Sequence, residues 1–310
     1  MPEIIISEFI DLEPVARLKA RYDVYIDEDL WQKPDELIEL ARDAKAMIVR
    51  NRTQVNQAIL DAGPALKAIG RLGVGLDNID VAACKKRGIA VLPAFGVNAR
   101  SVAEYVLAGT LMLLRGSAYF GAERLAFGEW PRAEMGQGRE LNTRTMGLIG
   151  FGSIGRVTAS LARAAGLTTI AYDAQLDAGS IVEETELVDL PTLLARADVV
   201  TLHCPLTPET RNLIAEKELA AMKPGAILIN TARGNIVDES ALADALRSGH
   251  LGGAAVDVFA TEPITSDAGN IFKGIGNVIL TPHIAGITVE SNARTSSVTV
   301  DNVRRALEED

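Results

Sequence analysis

Thr145-Met146-Gly147-Leu148-Ile149-Gly150-Phe151-Gly152-Ser153-Ile154-Gly155 is the stretch that decides the fold. An apolar run ends at Gly150, two more glycines follow at Gly152 and Gly155, and an amphipathic helical pattern opens at Ile154. In such a strand–turn–helix the first glycine permits the tight turn, the second lets backbone approach a pyrophosphate, and the third allows close helix packing. The helix start adds N–H groups and a positive dipole end, so Ser153 and Ile154 join the phosphate-facing set. About 18 residues beyond Gly155, Asp173 ends the next expected strand, where a carboxylate can accept hydrogen bonds from ribose hydroxyls. Asp173 would repel a 2′-phosphate, and Ala174 and Gln175 offer no arginine to receive one, so NAD is expected rather than NADP. A glycine turn that only reverses the chain is the bland alternative, and the strand-to-helix context argues against it.

Working outward, short apolar runs alternate with helical patterns throughout, which predicts parallel sheets built from βαβ units. Before the glycine turn, strands are expected at Ile4 to Ser7, Tyr22 to Ile26, Ala46 to Arg50, Ala68 to Leu72 and Ile89 to Leu92. The helices between them fall at Glu13 to Ala20, Pro34 to Ala41, Thr53 to Ala62 and Val81 to Arg87. A long helix is expected from Ser101 to about Glu123, followed by an aromatic, glycine-containing stretch around Phe127 and Trp130. After the turn, strands are expected at Thr168 to Tyr172, Val199 to His203, Ala226 to Asn230, Gly253 to Asp257 and Val278 to Leu280. Helices fall near Ile154 to Ala165, Leu190 to Ala197, Glu216 to Ala221, Glu239 to Ser248 and Thr288 to Leu307. The pattern predicts two doubly wound parallel-sheet α/β domains: residues 1–98 with 288–310, and a dinucleotide domain over 99–287.

Composition bounds the function classes. The chain has 310 residues, 48% of them hydrophobic, enough for two sizeable cores. The start at Met1-Pro2-Glu3 has no basic leader pattern, and no apolar run approaches the roughly 18 residues of a membrane span. A cytoplasmic enzyme without a membrane partner is expected. A net charge of −10 disfavours nucleic acid, and it means that an anionic substrate must be held by local arginines. Cys84 and Cys204 lack metal-ligand spacing, so they read as reduced, structural thiols and no metal is expected.

Three polar residues downstream carry the chemistry. Arg233 follows an expected strand in Asn230-Thr231-Ala232-Arg233-Gly234, at a strand end that faces the ligand crevice of an open α/β sheet. A guanidinium there can grip a carboxylate with two hydrogen bonds and polarise the neighbouring carbonyl. His283 ends another strand in Thr281-Pro282-His283, and Glu262 lies in the loop from Asp257 to Pro263. If folding joins them, the carboxylate orients the imidazole and favours its charged form, ready to protonate the alkoxide as hydride reaches the carbonyl carbon. Taken singly, each would read as a surface ion pair or a packed side chain. Arg50, ending a strand in Ile48-Val49-Arg50-Asn51, is the candidate for a distal anionic group, with Arg71 as a second.

These residues, in this order, resemble the D-isomer-specific 2-hydroxyacid dehydrogenase family, most closely its phosphoglycerate dehydrogenase branch. The resemblance spans nearly the whole chain, through Gly73 to Asp80, Asn98 to Glu104, the glycine fingerprint, His203 to Thr207, Asn230 to Gly234, Asp257 to Pro263 and Thr281 to Gly286. It implies a Rossmann NAD-binding domain inserted into a flavodoxin-like substrate domain, with Arg233, Glu262 and His283 as the catalytic trio. It further implies that Asp257 contacts the nicotinamide carboxamide, that Thr231 and Ala232 lie near the ring, and that His203 and Pro205 lie along the cofactor. Val74 and Gly75 match the loop whose N–H groups receive the substrate carboxylate, and the helix after Ser101 matches a dimerisation segment. Longer phosphoglycerate dehydrogenases continue where this chain stops at Asp310, so serine-type feedback is not expected. Glu262 stands where formate dehydrogenases carry Gln, which points to alcohol/carbonyl chemistry.

The expected reaction is therefore NAD-dependent interconversion of a D-configured 2-hydroxy acid and its 2-oxo acid. The candidate substrates are 3-phosphoglycerate, sulfolactate, and glycerate with hydroxypyruvate or glyoxylate. A phosphite dehydrogenase shares the Arg, Glu and His set, and an NAD(H)-sensing corepressor shares the fold. Both stay open as alternatives at this stage.

Overall fold

A computed structural model describes residues 2–119 and 121–309. The chain alternates strand and helix from its start: β1 Ile4–Ile6, α1 Leu12–Lys19, β2 Val24–Ile26, α2 Pro34–Ala41, β3 Ala46–Val49, α3 Gln57–Ala62, β4 Ala68–Arg71, α4 Val81–Lys86 and β5 Ala90–Pro93. Next come α5 Ala99–Arg115, α6 Ala122–Ala126, α7 Arg132–Met135, β6 Thr145–Ile149, α8 Ser153–Ala164 and β7 Thr168–Tyr172. The remainder is β8 Ile181–Val182, β9 Thr185–Leu187, α9 Leu190–Arg196, β10 Val199–Leu202, α10 Glu216–Ala221, β11 Ile227–Asn230, α11 Glu239–Arg247, β12 Gly253–Val256, α12 Ser266–Gly269, β13 Val278–Leu280 and α13 Val289–Glu308. The chain divides into two compact units, Met1–Asn98 with Ile287–Asp310, and Ala99–Gly286. Among the described residues no helix is long and apolar enough to cross a membrane.

The first unit carries a five-stranded parallel sheet in the order β2-β1-β3-β4-β5. Helices cover both faces, which is why Ile4, Ile5 and Ile6 are all fully buried rather than alternating. The final helix, α13, starts at Thr288, whose hydroxyl accepts from the Ser291 N–H, and lays Thr299, Val300 and Val303 on this sheet. A glycine makes that contact possible. A Cβ at Gly70 in β4 would stand 2.5 Å from Val303 Cγ2 and 2.9 Å from Thr299 Cγ2.

The second unit holds an eight-stranded sheet in the order β13-β12-β11-β10-β6-β7-β9-β8. Strand order reverses between β6 and β10, the switch point where such sheets take their ligand. Helix α8 turns Gly155, Thr158, Ala159 and Ala162 inward, a face of small side chains at helical spacing that brings it close to its neighbours.

The short helices α6, α7 and α12 were not expected from the sequence, and further departures have identifiable causes. The long helix ends at Arg115 rather than near Glu123, because Gly116 sits at φ +57°, a left-handed stop, and a short 3₁₀ turn over Gly116–Tyr119 follows. Helix α3 begins at Gln57 rather than at Thr53, since Asn56 caps it and Val55 pairs with Ile79 in a parallel bridge. The β8–β9 hairpin was not expected, and it adds one antiparallel pairing to an otherwise parallel sheet.

Candidate active site

In the second unit the glycine turn has the geometry that a dinucleotide requires. Gly150 lies at φ +95°, and a Cβ there would stand 2.7 Å from both His203 C and Cys204 N, so the turn after β6 abuts the end of β10. At Gly155 a Cβ would meet Gly150 O at 2.3 Å, which fixes how closely α8 approaches the turn. Gly152 differs: it caps α8 with no side-chain hydrogen bond, and nothing lies within 4 Å of where its Cβ would be. The first-turn N–H groups at Ser153 and Ile154, which helical geometry leaves without helix partners, thus begin beside open space. Asp173, just past β7, accepts the Phe151 N–H at 2.7 Å and the Gln175 N–H at 2.9 Å, which ties the carboxylate expected to face the ribose to the glycine loop.

Other positions expected to line the cofactor lie at neighbouring strand ends. His203 follows β10, its ring 3.2 Å from Thr201 Oγ1, and burial pushes its pKa well down, so the imidazole is neutral. Pro205 follows it and is exposed, its carbonyl accepting from the Thr210 hydroxyl. Burial pushes the adjacent Cys204 thiol up to about 11, so it stays protonated, and both cysteines are free. Thr231 and Ala232 follow β11, and Thr231 Oγ1 is buried without a hydrogen-bond partner. A turn of left-handed glycine, an uncapped helix start facing open space and an unpartnered buried hydroxyl together fit a bound dinucleotide.

The structure joins Glu262 and His283, the pair expected to carry the acid/base chemistry. Glu262 Oε2 lies 2.7 Å from His283 Nδ1, and Glu262 Oε1 accepts the Phe259 N–H at 2.9 Å. Burial works to raise the pKa of Glu262, but the hydrogen bonds from His283 and Phe259 and the charges of His283 and Arg233 outweigh it and hold the carboxyl below its ordinary value. Arg233 stands near enough to act on Glu262, and its own Nη1 donates to Ala232 O at 2.6 Å. A glycine explains the approach of these turns. A Cβ at Gly234 would stand 1.9 Å from Phe259 O, so the turn bearing Arg233 packs directly on the backbone that leads to Glu262.

His283 itself sits at φ +57°, a region that a side chain with a Cβ adopts only when its surroundings impose it. Asp257 does so. Its carbonyl accepts the His283 N–H at 2.8 Å, and its carboxylate, 1% exposed, accepts from Ile284 N–H and Ala285 N–H, each at 2.8 Å, and from the Thr281 hydroxyl at 2.6 Å. Since the single Thr281 hydroxyl proton goes to Asp257, its oxygen accepts from Tyr105 OH, 2.6 Å away on α5. Sequence reading missed Thr281 and Tyr105. A tyrosine on an amphipathic helix carries no local signal of a contact 176 residues away.

In the first unit the candidate substrate loops also lie at strand ends. Val74 and Gly75 follow β4, and among the described residues their N–H groups donate to no protein acceptor. Arg71 folds its guanidinium over Gly73, at φ +136°, where a Cβ would stand 1.8 Å from Arg71 Nη1. Arg50 follows β3, half-buried, with Nη1 3.4 Å from Phe9 O, Nη2 on Asn292 Oδ1 and its guanidinium 5.6 Å from the Phe9 ring centroid. Among the described residues it makes no ion pair.

Comparison with known proteins gives consistent matches. Residues 107–285 match the family "D-isomer specific 2-hydroxyacid dehydrogenase, NAD binding domain". The chain is 50% identical over 309 residues to the (S)-sulfolactate dehydrogenase of Chromohalobacter salexigens, covering 99% of each. It is 38% identical over 311 residues to the D-3-phosphoglycerate dehydrogenase of Mycobacterium tuberculosis, of whose length it spans 57%. Among solved structures, D-lactate dehydrogenase from Aquifex aeolicus, complexed with NAD and lactic acid, superposes with a TM-score of 0.85 at 30% identity, covering 99% of this chain and 96% of that one.

Proposed function

The chain belongs to the D-isomer-specific 2-hydroxyacid dehydrogenase family and is an NAD-dependent enzyme of that reaction class, and we propose that its substrate is a D-configured 2-hydroxy acid bearing a second anionic group, sulfolactate foremost. The observation that carries this reading is Arg50, a half-buried guanidinium at the end of β3 with no ion pair among the described residues. Burial disfavours this charge, and the Glu8 carboxylate offsets that only in part and from a distance, so an arriving sulfonate or phosphate adds the direct contact that the fold does not supply. The name of the relative with 50% identity fits stereochemically. In sulfolactate the sulfur-bearing carbon outranks the carboxyl group, so the S descriptor denotes the spatial arrangement called D in lactate.

The site residues are assigned on this reading. Bound NAD supplies the hydride acceptor for the alcohol or the donor for the ketone. Glu262, held ionised, can only accept, so His283 Nδ1 carries its proton toward Glu262 and Nε2 exchanges the proton with the substrate oxygen. Arg233 grips the carboxylate beside the reacting carbon and polarises the carbonyl. Within the first unit, the N–H groups of Val74 and Gly75 are assigned to a substrate carboxylate and Arg50 to a distal anion. Gly150, Gly152, Ser153, Ile154, Gly155, Asp173, His203, Pro205, Thr231, Ala232 and Asp257 form the cofactor side, with Asp257 also holding the His283 loop.

Turnover of 3-sulfopyruvate, 3-phosphohydroxypyruvate, hydroxypyruvate and glyoxylate with NADH tests the substrate class. The two substrates with a distal anion are expected to have the highest kcat/KM, and Arg50→Ala should lower theirs by about 100-fold, the loss of one charge-assisted bidentate contact, while changing the others little. Equal kcat/KM across the panel, or an Arg50→Ala variant that leaves the ranking intact, refutes the proposal. We also place the enzyme in the cytoplasm, where free Cys84 and Cys204 suit a reducing compartment, as a homodimer. The helix after Ser101 is the surface assigned to the second copy, and Phe127 and Trp130, 80% and 81% exposed just beyond α5, extend it. Sedimentation at micromolar concentration reads this out, and a Trp130→Glu variant that sediments like the parent removes that surface from the account.

A further inference from the structure

Glu8 accepts four backbone hydrogen bonds, and the reaction chemistry gives it no part. It follows β1, is 4% exposed, and faces the loop after β3. Oε1 accepts the N–H groups of Arg50 at 2.8 Å and Thr53 at 3.0 Å, and Oε2 those of Asn51 at 3.2 Å and Arg52 at 3.0 Å. Four consecutive backbone donors therefore converge on one anion, a concave arrangement that favours a negative group. The loop is gripped from its carbonyl side as well: Asn78 Nδ2 donates to Thr53 O at 2.7 Å and Arg50 O at 3.3 Å, and the Ser7 and Thr53 hydroxyls lie 2.8 Å apart.

Phe9, the next residue, completes the arrangement at the side chain. Its carbonyl receives Arg50 Nη1, its ring lies beneath the guanidinium, and it is 44% exposed. We propose that the Glu8-Phe9 dipeptide is the positioning pair for Arg50: Glu8 shapes the loop that launches the side chain, and Phe9 fixes the direction of its guanidinium, so together they set selectivity for a distal anion. Neither residue touches the reacting atoms. The inference rests on the reading of Arg50 as the anion-binding group.

The test compares 3-sulfopyruvate with hydroxypyruvate, which differ only in the distal group, in the parent enzyme and in the Glu8→Gln, Phe9→Leu and Arg50→Ala variants. Glutamine keeps the shape of Glu8 but offers one acceptor oxygen to four donors. It is expected to raise KM for 3-sulfopyruvate about 10-fold, with kcat, and KM for hydroxypyruvate, within about 2-fold of the parent. Phe9→Leu is expected to give a smaller rise of about 3-fold with the same selectivity, from loss of the ring under the cation. In the Arg50→Ala background neither substitution should have a further substrate-selective effect. Folded Glu8→Gln and Phe9→Leu proteins that keep the parent ratio of KM values, or that raise both KM values equally, overturn the inference. If Glu8→Gln does not fold, Phe9→Leu at its exposed site decides alone. An Arg50→Ala variant with the parent ratio would instead remove the anion-binding reading on which this one stands.

Discussion

Replacing Asp257 with Asn tests whether the placement of His283 is built by this one side chain. The carboxylate holds three donors, two on Oδ1 from Thr281 and Ile284 and one on Oδ2 from Ala285. Asparagine can keep the pair on its oxygen, but it then turns an NH2 toward the Ala285 N–H, donor against donor. One charge-assisted bond is lost and two become neutral, about 4 kcal/mol in gross interaction at roughly 1.5–3 kcal/mol per charged bond and half that per neutral one. Part of this returns, because burial already pushes the Asp257 pKa up and a neutral amide escapes that penalty. The net effect on global stability is expected to be about 2 kcal/mol, read by urea unfolding. The catalytic effect should be larger. His283 at φ +57° relaxes once its neighbours are released, and kcat at saturating NADH is expected to fall about 100-fold, with a smaller loss of NADH affinity, about 10-fold by fluorescence titration, because Asp257 is also assigned to the cofactor side. A folded variant that keeps kcat within about 3-fold of the parent would refute the clamp. Collapse of NADH affinity with kcat intact would assign Asp257 to the cofactor alone.

Two further expectations follow from the same geometry. Alanine at Gly234 puts a methyl group 1.9 Å from Phe259 O, a backbone atom that cannot step aside, whereas alanine at Gly152 meets nothing within 4 Å. Gly234→Ala should therefore lose about 3 kcal/mol or more of stability, while Gly152→Ala keeps its unfolding midpoint and loses at least about 10-fold in NADH affinity; the reverse pattern would contradict the site. His203, half-buried with its pKa pushed down to about 3, should show a flat ring-proton shift by NMR from pH 8 to 5. Its unfolded-state pKa is near 6.5, so the unfolded chain binds the extra proton first and stability should decline as pH falls below about 6.5. A midpoint near 6.5 in the folded protein, or an unchanged profile in His203→Gln, would remove this contribution.

Strand ends and the glycine turn are local: an apolar run, a glycine at positive φ and a helix start within a dozen residues fix one another, and β6, β7 and β13 fall where the pattern predicts. The β8–β9 hairpin was invisible because its two-residue turn is Glu183-Glu184, both at positive φ, where Asn-Gly would be the usual signal. Long-range pairs hold it instead: Arg156 meets Glu183 at 2.6 Å and Arg163 meets Glu184 at 3.4 Å, both from α8. In the site, Glu262 and His283 could be paired in advance because the chemistry demands a partner for the imidazole, and the structure sets them 2.7 Å apart. No such demand pointed to Glu8, whose donors lie more than 40 residues away, and a carboxylate after an apolar strand reads equally as a solvated end.

The net charge of −10 raises the question of how this chain attracts a dianion. The carboxylates at the strand ends answer part of it. Glu8 faces four backbone N–H groups, Asp257 two N–H groups and a hydroxyl, and Asp173 two N–H groups. Each negative charge is thus wrapped in the positive ends of local dipoles, which weakens the field it sends outward. Carboxylates on the remote surface act across water and salt, where the Debye length is about 8 Å, so they contribute little at the binding loops. What an approaching anion meets is decided by the groups whose charge is least answered locally, and in the first unit Arg50 makes no ion pair among the described residues, only the Glu8 carboxylate, itself wrapped in N–H groups, acting on it from a distance. A chain can therefore be acidic overall and still select dianions. On this argument the ionic-strength dependence of KM for 3-sulfopyruvate should follow the cations at the strand ends: KM rises with salt in the parent enzyme and flattens in Arg50→Ala. A KM that instead fell with added salt would mean that the global field dominates.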